Sequence, residues 1–333
     1  MATIKDVSRL ANVSISTVSR VINNTAQVAP EKREAVLQAM KQLNFRPNSF
    51  AQALVSKRSN CVGVLVGDLC GGPFFAQMMQ GIERVIDRAN KFAIVMSGNH
   101  NEKRERQAIE ALLQRQCDAL ILHSMALPDE ELLELASGDT PIVFVNRLVP
   151  GAEDRCIWLD NEAGTLAAMR YLIGQGHRQI AYITSNDDAF VDAQHRLAGY
   201  RRGLEEAGIA YDEALIGAGF PDEVGGHQAM QELLARKVPF TAMIGFNDAM
   251  AAGSMSLLME QGFDVPGQIS VIGFDDIPYV RFIRPKLTTM RYPIEAMGEQ
   301  AAELALGLLD NHQKEIMVRK FVPEMVCRES VRT

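Results

Sequence analysis

From Val62 to Phe274, short apolar runs alternate with longer amphipathic stretches. The runs are Val62–Val66, Phe92–Met96, Ala119–Leu122, Ile142–Val145, Ile180–Thr184, Ala242–Phe246 and Val271–Phe274. Between them, helical spacing of apolar residues marks Phe75–Ala89, Glu102–Gln116, Asn161–Ile173, Arg196–Ala207, Glu223–Ala235 and Ala249–Gln261. Strand–helix alternation of this length predicts parallel sheets covered by helices on both faces, an α/β fold of the doubly wound kind. One series of four strands ends near Val145 and a second starts near Ile180, so two lobes with a crevice are expected. In such sheets ligands bind beyond the carboxyl ends of the strands. The polar residues found there are Asp68, Asn146, Asn247, Asp248, Asp275 and Asp276. Donors and acceptors of this kind, with apolar faces beside them, suit the vicinal hydroxyls and C–H surfaces of a sugar. Asp248 and Asp276 also stand where a helix or turn begins, and capping is the simpler reading for both.

The net charge of −7 over 333 residues is unevenly spread. Residues 1–60 hold nine Lys/Arg against three acids, and the remainder holds 25 basic and 38 acidic residues. A small basic head on an acidic body points to a polyanion met by the head alone. That head reads as three short helices. Thr3 can cap the first, which carries Ile4, Val7 and Leu10; Ser14 can cap the second, which carries Ile15, Val18, Val21 and Ile22. Ala11, Asn12 and Val13 form a turn of the length that joins two crossed helices. Pro30 suits the first turn of a third helix with Val36, Leu37, Met40 and Leu43 as its stripe. The start of the second helix is rich in short polar residues, Ser14, Ser16, Thr17 and Ser19, with Arg20 one turn on. Those residue types contact phosphates and base edges when a recognition helix enters the major groove. The expected division is a helix-turn-helix domain over 1–46, a hinge or linker over 47–60 and a two-lobed body over 61–333. Its first lobe covers about 61–160 and 293–320, its second about 161–292 and 321–333.

Other classes find less support. Neither G-x-G-x-x-G nor a P-loop, G-x-S-x-G or H-E-x-x-H occurs, so a carbohydrate-processing enzyme is the remote alternative and no cofactor is expected. The N-terminus lacks the apolar stretch of a signal peptide, which argues against an exported binding protein and for the cytoplasm. No run approaches the roughly 20 apolar residues of a membrane span. Cys61, Cys70, Cys117, Cys156 and Cys327 are scattered without a C-x-x-C pair, which fits reduced thiols and no metal site.

IKDVSRLANVSISTVSRVIN resembles the N-terminal signature of the lactose/galactose repressor family of bacterial transcription regulators. The resemblance extends over essentially the whole chain through RPNSFAQAL, LIGQGHRQIAYI, RLAGYRRGL, FNDAMAAG, VPGQISVIGFDDI and LTTMRYPIEAMG. NHNEKRERQAIEALL, VNRLVPG and PDEVGGHQAM are similar to the galactose branch of that family. The resemblance implies a homodimeric repressor on a pseudo-palindromic operator, released by a small sugar held between the lobes. D-galactose is the implied sugar, with a β-glucoside or other sugar as the alternative. Induction is the implied sense; the family's purine repressor works in the opposite one, and the sequence alone leaves the sense open. The chain stops at Thr333 without a terminal heptad segment, so a dimer is expected rather than a tetramer.

Carried over by position, Ile15 and Ser16 become base readers and Arg20 the residue that reads guanine. Thr3, Ser14, Thr17, Ser19 and Asn23 are the remaining DNA contacts, and Leu54 is the leucine that wedges into the minor groove from the hinge. Two departures stand out: Asn12 replaces the usual turn glycine, and Ala29 the usual Ser/Thr cap of the third helix. For the effector, the family pattern points to Arg196, Asn247 and Asp275. Asn146, Asp160, Phe74 and Tyr292 are the further contacts, Phe74 covering a sugar face and Tyr292 lying at a crossover between lobes.

Overall fold

The computed structural model describes residues 2–23, 27–46, 58–69, 73–186, 191–310 and 319–332. Leu54 lies outside these residues, with the rest of segment 47–57. Two compact units emerge: Met1–Cys61 together with Gln116–Asp118, and Val62–Arg115 together with Ala119–Thr333.

The first unit contains α1 (Ile4–Leu10), α2 (Ile15–Asn23) and α3 (Pro30–Gln42). Val7, Val18, Val21, Val36 and Ala39 form its core. The Thr3 amide and hydroxyl donate to the Asp6 carboxylate at 2.9 and 2.8 Å, closing the start of α1. The Ser14 hydroxyl accepts from the Thr17 amide at 3.1 Å, the N-cap bond that opens α2. Asn12 takes φ 51° in the turn, a left-handed conformation that asparagine tolerates better than most residues. Ala29 precedes α3 with no side-chain cap, and Pro30 occupies the first turn. Leu37, expected in the core stripe of α3, is 51% exposed; Ala39 is buried in its place, because the stripe follows Val36 by three residues rather than one.

The second unit is built on two six-stranded sheets. The first contains β1 (Cys61–Val66), β2 (Phe92–Ser97), β3 (Ala119–Leu122), β4 (Ile142–Val145), β5 (Cys156–Leu159) and β11 (Lys320–Phe321), in the order β11-β5-β4-β3-β1-β2. The second contains β6 (Ile180–Ser185), β7 (Ile216–Gly219), β8 (Ala242–Gly245), β9 (Ser270–Asp275), β10 (Thr288–Arg291) and β12 (Glu324–Val326), in the order β12-β10-β9-β8-β6-β7. The central pairs β1–β3, β3–β4, β6–β8 and β8–β9 are parallel, and β12 runs antiparallel to β10 at an edge. The chain passes between sheets after β5, after β10 and after β11. Phe321 pairs with Leu159 in the first sheet, so the last passage comes one residue later than the sequence suggested.

Helices α4 (Pro73–Arg88), α5 (Glu102–Gln114), α6 (Asp129–Ala136) and α11 (Ile294–Leu309) accompany the first sheet, and α7 (Asn161–Gly174), α8 (Val191–Glu206), α9 (Glu223–Ala235) and α10 (Asp248–Glu260) the second. Strand β6 shows why both faces are covered. Ile180 and Tyr182 join one core with Met169 of α7 and Tyr200 of α8, while Ala181 and Ile183 join another with Met230 of α9 and Met250 of α10. Alternate residues of a strand point to opposite faces, so an unbroken apolar run needs a partner on each side. Helices α4 and α11 cross at reciprocal glycines: a Cβ on Gly81 would strike the Glu295 carbonyl, and one on Gly298 the Met78 carbonyl.

Strands β7, β10, β11 and β12 escape the apolar-run criterion, and β5, the apolar run Cys156–Leu159, is a further strand beyond those expected. Strand β7 reads Ile-Gly-Ala-Gly, β10 reads Thr-Thr-Met-Arg, and β11 has two residues. Helix α8 starts at Val191, not at Arg196, which places Arg196 in its second turn.

Candidate ligand cleft and DNA-reading helix

A cleft of about 550 Å³ opens between the two sheets of the second unit, at the carboxyl ends of their strands. Asn146 follows β4, Asn247 follows β8, Asp275 ends β9 and Tyr292 follows β10; all four line it. Phe74, at the start of α4, meets the Tyr292 ring edge-on at 5.0 Å and forms the aromatic wall.

Arg196 forms the floor and is 3% exposed. Its Nε donates to Asn161 Oδ1 at 2.7 Å and its Nη1 to the Phe246 carbonyl at 2.5 Å. The guanidinium lies 3.7 Å from the ring centre of Phe274 and 4.6 Å from that of Phe246. Asp275 Oδ1 stands 3.7 Å from Nη1, an ion pair looser than a hydrogen bond. Asp275 takes φ 116° and Asp276 φ 60°, so two consecutive aspartates end β9 in the left-handed half of backbone space. Strain of that kind persists only where the surroundings over-determine it, and it concentrates at functional sites. Burial pushes the Asp275 carboxyl up to about 7, against the pull of Arg196.

A second carboxylate completes the floor. Asp192 accepts from Asn146 Nδ2 at 2.7 Å and from Asn161 Nδ2 at 3.0 Å, and burial raises its pKa. Asn161 therefore links the arginine to this aspartate. The buried polar atoms of the cleft wall without a hydrogen-bond partner among the described residues include Asn146 Oδ1, His123 Nδ1 and Tyr292 Oη. A polar ligand would satisfy them. Burial, reinforced by nearby His100, lowers the His123 pKa to about 3, so this imidazole is neutral at physiological pH.

Two expected contacts are otherwise engaged. Asp160 does not reach the cleft: its carboxylate caps α7 through the Ala163 amide at 2.9 Å and pairs with Lys320 at 2.7 Å. Its position after a strand and before a helix makes it an N-cap instead. Asn247 does line the cleft, but its Oδ1 accepts from Met250 N at 2.8 Å and its Nδ2 donates to the Pro221 carbonyl at 2.9 Å. Asp248 is wholly buried and accepts from Thr289 Oγ1 and the Ile277 amide at 2.5 and 2.9 Å. Asp276 gathers Arg281, Arg291 and Arg328. Both serve the lobe's own structure. Sequence reasoning missed Asp192 and His123. Asp192 lies four residues before Arg196 and thus on the same helix face, and His123 directly follows β3, so the strand-end rule that found Asn146 finds it too.

On the first unit, Thr3, Ser14, Ile15, Ser16 and Arg20 are exposed, and Thr17, Ser19 and Asn23 are half-buried. Ile15 is 44% exposed, outside the core formed by Val18 and Val21. Ser14 Oγ lies 2.8 Å from both Ser16 Oγ and Thr17 Oγ1, while Asn23 Nδ2 donates to Ser19 Oγ at 3.3 Å. Ser16 and Arg20, one turn apart, share a helix face. Among the described residues no group of three or more His, Cys, Asp or Glu is placed to hold a metal ion, and no helix is long and apolar enough to cross a membrane.

A helix-turn-helix unit with a polar reading helix, joined in one chain to a two-sheet unit with a buried polar cleft, defines a DNA-binding transcription regulator. Residues 3–48 match the model of bacterial regulatory proteins of the lacI family, and residues 169–331 match that of the periplasmic binding protein-like domain. The chain is 48% identical over 333 residues to the HTH-type transcriptional regulator GalR of Escherichia coli (strain K12), covering 100% of this chain and 96% of that one. It is 44% identical to GalS of Salmonella typhimurium (strain LT2), covering 99% and 97%. Among solved structures, the lac repressor dimer bound to operator and the anti-inducer ONPF is similar at a TM-score of 0.86 and 27% identity, covering 100% of this chain and 99% of that one. The chain belongs to the LacI family of bacterial transcriptional regulators. These relatives are regulators, and the enzyme alternative is set aside.

Proposed function

We propose that this regulator is a cytoplasmic homodimeric repressor whose operator affinity falls when D-galactose occupies the cleft. The observation that carries the reading is the meeting of Arg196 and Asp275 on a buried floor, 3.7 Å apart, facing the open polar atoms of Asn146 and Tyr292. A guanidinium only donates and a carboxylate only accepts, so together they serve neighbouring hydroxyls of one neutral sugar. Phe74 supplies an apolar face. The sugar's identity rests on the galactose-branch stretches of the sequence and on the similarity to GalR and GalS.

In this reading residues 1–46 read DNA, 47–60 form the hinge with Leu54 as its wedge, and 61–333 bind sugar and dimerise. Ile15, Ser16 and Arg20 read bases; Thr3, Ser14, Thr17, Ser19 and Asn23 hold the backbone of a pseudo-palindromic operator. The sugar contacts both lobes and selects one relative orientation. Coupling between two such sites is typically about 1–3 kcal/mol and reciprocal, so operator DNA weakens sugar binding by the same factor. Operator release measured against a panel of monosaccharides and β-glucosides tests this. Release by galactose is expected. Release by a β-glucoside alone transfers the assignment to that class, and no release by any sugar defeats it.

A further inference from the structure

The chain enters β1 through Ser59 and Asn60, and both are held by one carboxylate. Asp118, in the turn before β3, is 9% exposed. Its Oδ1 accepts from the Ser59 amide at 2.6 Å and from the Ser59 hydroxyl at 2.9 Å, and its Oδ2 accepts from the Asn60 amide at 3.0 Å. The Asp118 amide donates in return to the Cys61 carbonyl at 2.8 Å. Asn60 takes φ 57° and Gln116 φ 55°, so each side of this clasp carries a non-glycine residue in the left-handed region. Residues Gln116–Asp118 group with Met1–Cys61 in one compact unit, although their sequence position lies within the ligand-binding body.

Two strands follow directly on the clasp in the chain. Strand β1 starts at Cys61, and β3 follows directly on Asp118; they pair in register from Val62 with Ala119 to Leu65 with Leu122. At their far ends stand Asp68 and His123, both in the cleft wall. Paired strands are stiff along their length, so a shift of the wall is carried to the residues that precede them.

We propose that Asp118 is a positioning residue for operator binding: its carboxylate fixes the point at which the linker joins the body and so transmits the state of the cleft to the DNA-binding unit. A mere capping role would fix β1 locally and leave regulation alone. Only the sugar arm of the test rests on the galactose reading.

The test uses the full chain and an operator selected from randomised duplexes by the unmutated protein. Asp118→Asn keeps the shape but turns an amide N–H toward a backbone N–H. Without sugar its operator affinity is expected to fall about ten-fold, the scale of a lost hydrogen bond to a charged group. Sugar-bound affinity should hardly change, so the ratio of the two shrinks toward one. Galactose affinity of the DNA-free variant stays within about two-fold, since sites without shared partners act independently. Ser59→Ala, which keeps both backbone donors, is expected to lose about three-fold, within the range for one neutral hydrogen bond. Unchanged sugar-free operator affinity in both variants overturns the proposal, as does an unchanged ratio with a lowered melting temperature. If galactose fails to release even the unmutated protein, the sugar reading fails, and the sugar-free affinities alone decide the role of Asp118.

Discussion

Asn146 donates its side-chain N–H to the carboxylate of Asp192 at 2.7 Å, and with that bond a residue of the first lobe is joined to one of the second at the floor of the cleft. The two are 46 positions apart, and both are buried. Asn146 stands at φ 62° after β4, a conformation that turns its side chain away from the extended path of the strand. Asp192 is also held by Asn161, which in turn accepts from Arg196, so arginine, asparagine, aspartate and asparagine form one chain across the lobes.

Asp192→Ala tests that chain. It leaves the amides of Asn146 and Asn161 without their shared acceptor, and an unsatisfied buried donor costs about 1–3 kcal/mol. Galactose affinity measured by calorimetry should drop by at least about ten-fold, while operator binding without sugar is retained. Undiminished galactose affinity would show that the Asn146–Asp192 bond plays no part in binding.

Asp275→Asn should give a folded protein that binds operator and no longer responds to galactose, because its new amide N–H faces hydroxyls that need an acceptor. A structural role for the Arg196 pair predicts the reverse, a lower melting temperature with the response intact. The pH dependence gives a second handle. Burial raises the folded-state pKa of Asp275 to about 7, above its unfolded value. The folded protein therefore takes up a proton between about pH 4 and 7, and this group favours folding as pH falls through that window. Ligand binding runs the other way, since protonation removes an acceptor. Galactose affinity should fall about ten-fold from pH 8 to pH 6, following the ionised fraction. In Asp275→Asn that dependence disappears.

Arg20→Ala should weaken operator binding and relax preference at one base pair in each half-site, since a bidentate guanine contact discriminates by about 1–3 kcal/mol. Competition between operator variants checks it. Equal loss on operator and on random DNA would make Arg20 a phosphate contact, and galactose affinity of the DNA-free protein should not move in either case.

Asp160→Ala separates a cap from a ligand contact. Loss of an N-cap costs about 1 kcal/mol, and the Lys320 partner is half-exposed, so the pair adds little. Thermal unfolding should show a small drop, with galactose affinity unchanged. A ten-fold loss of affinity would return Asp160 to the cleft.

Much of this protein is legible in its residues. The alternation from Val62 to Phe274 determines two doubly wound lobes, because a run that is apolar on both faces must be covered twice. Ser14 and Asn12 determine where α2 begins and how the turn before it bends, since caps and left-handed positions are set within a few residues. Strand ends alone place Asn146, Asn247 and Asp275 at the cleft, whereas Tyr292, after a strand the apolar runs do not reveal, is pointed to only by the family resemblance. What tertiary structure decided is which of these groups keep a free hand. Asn247 spends both ends of its amide on Met250 and Pro221, Asp160 turns to Ala163 and Lys320, and Asp192 becomes the acceptor for two asparagines from different elements. The same holds for Asp118, which meets Ser59 across 59 positions of chain. Periodicity records the face a residue presents; it carries no record of the partner that packing brings to that face from another part of the chain.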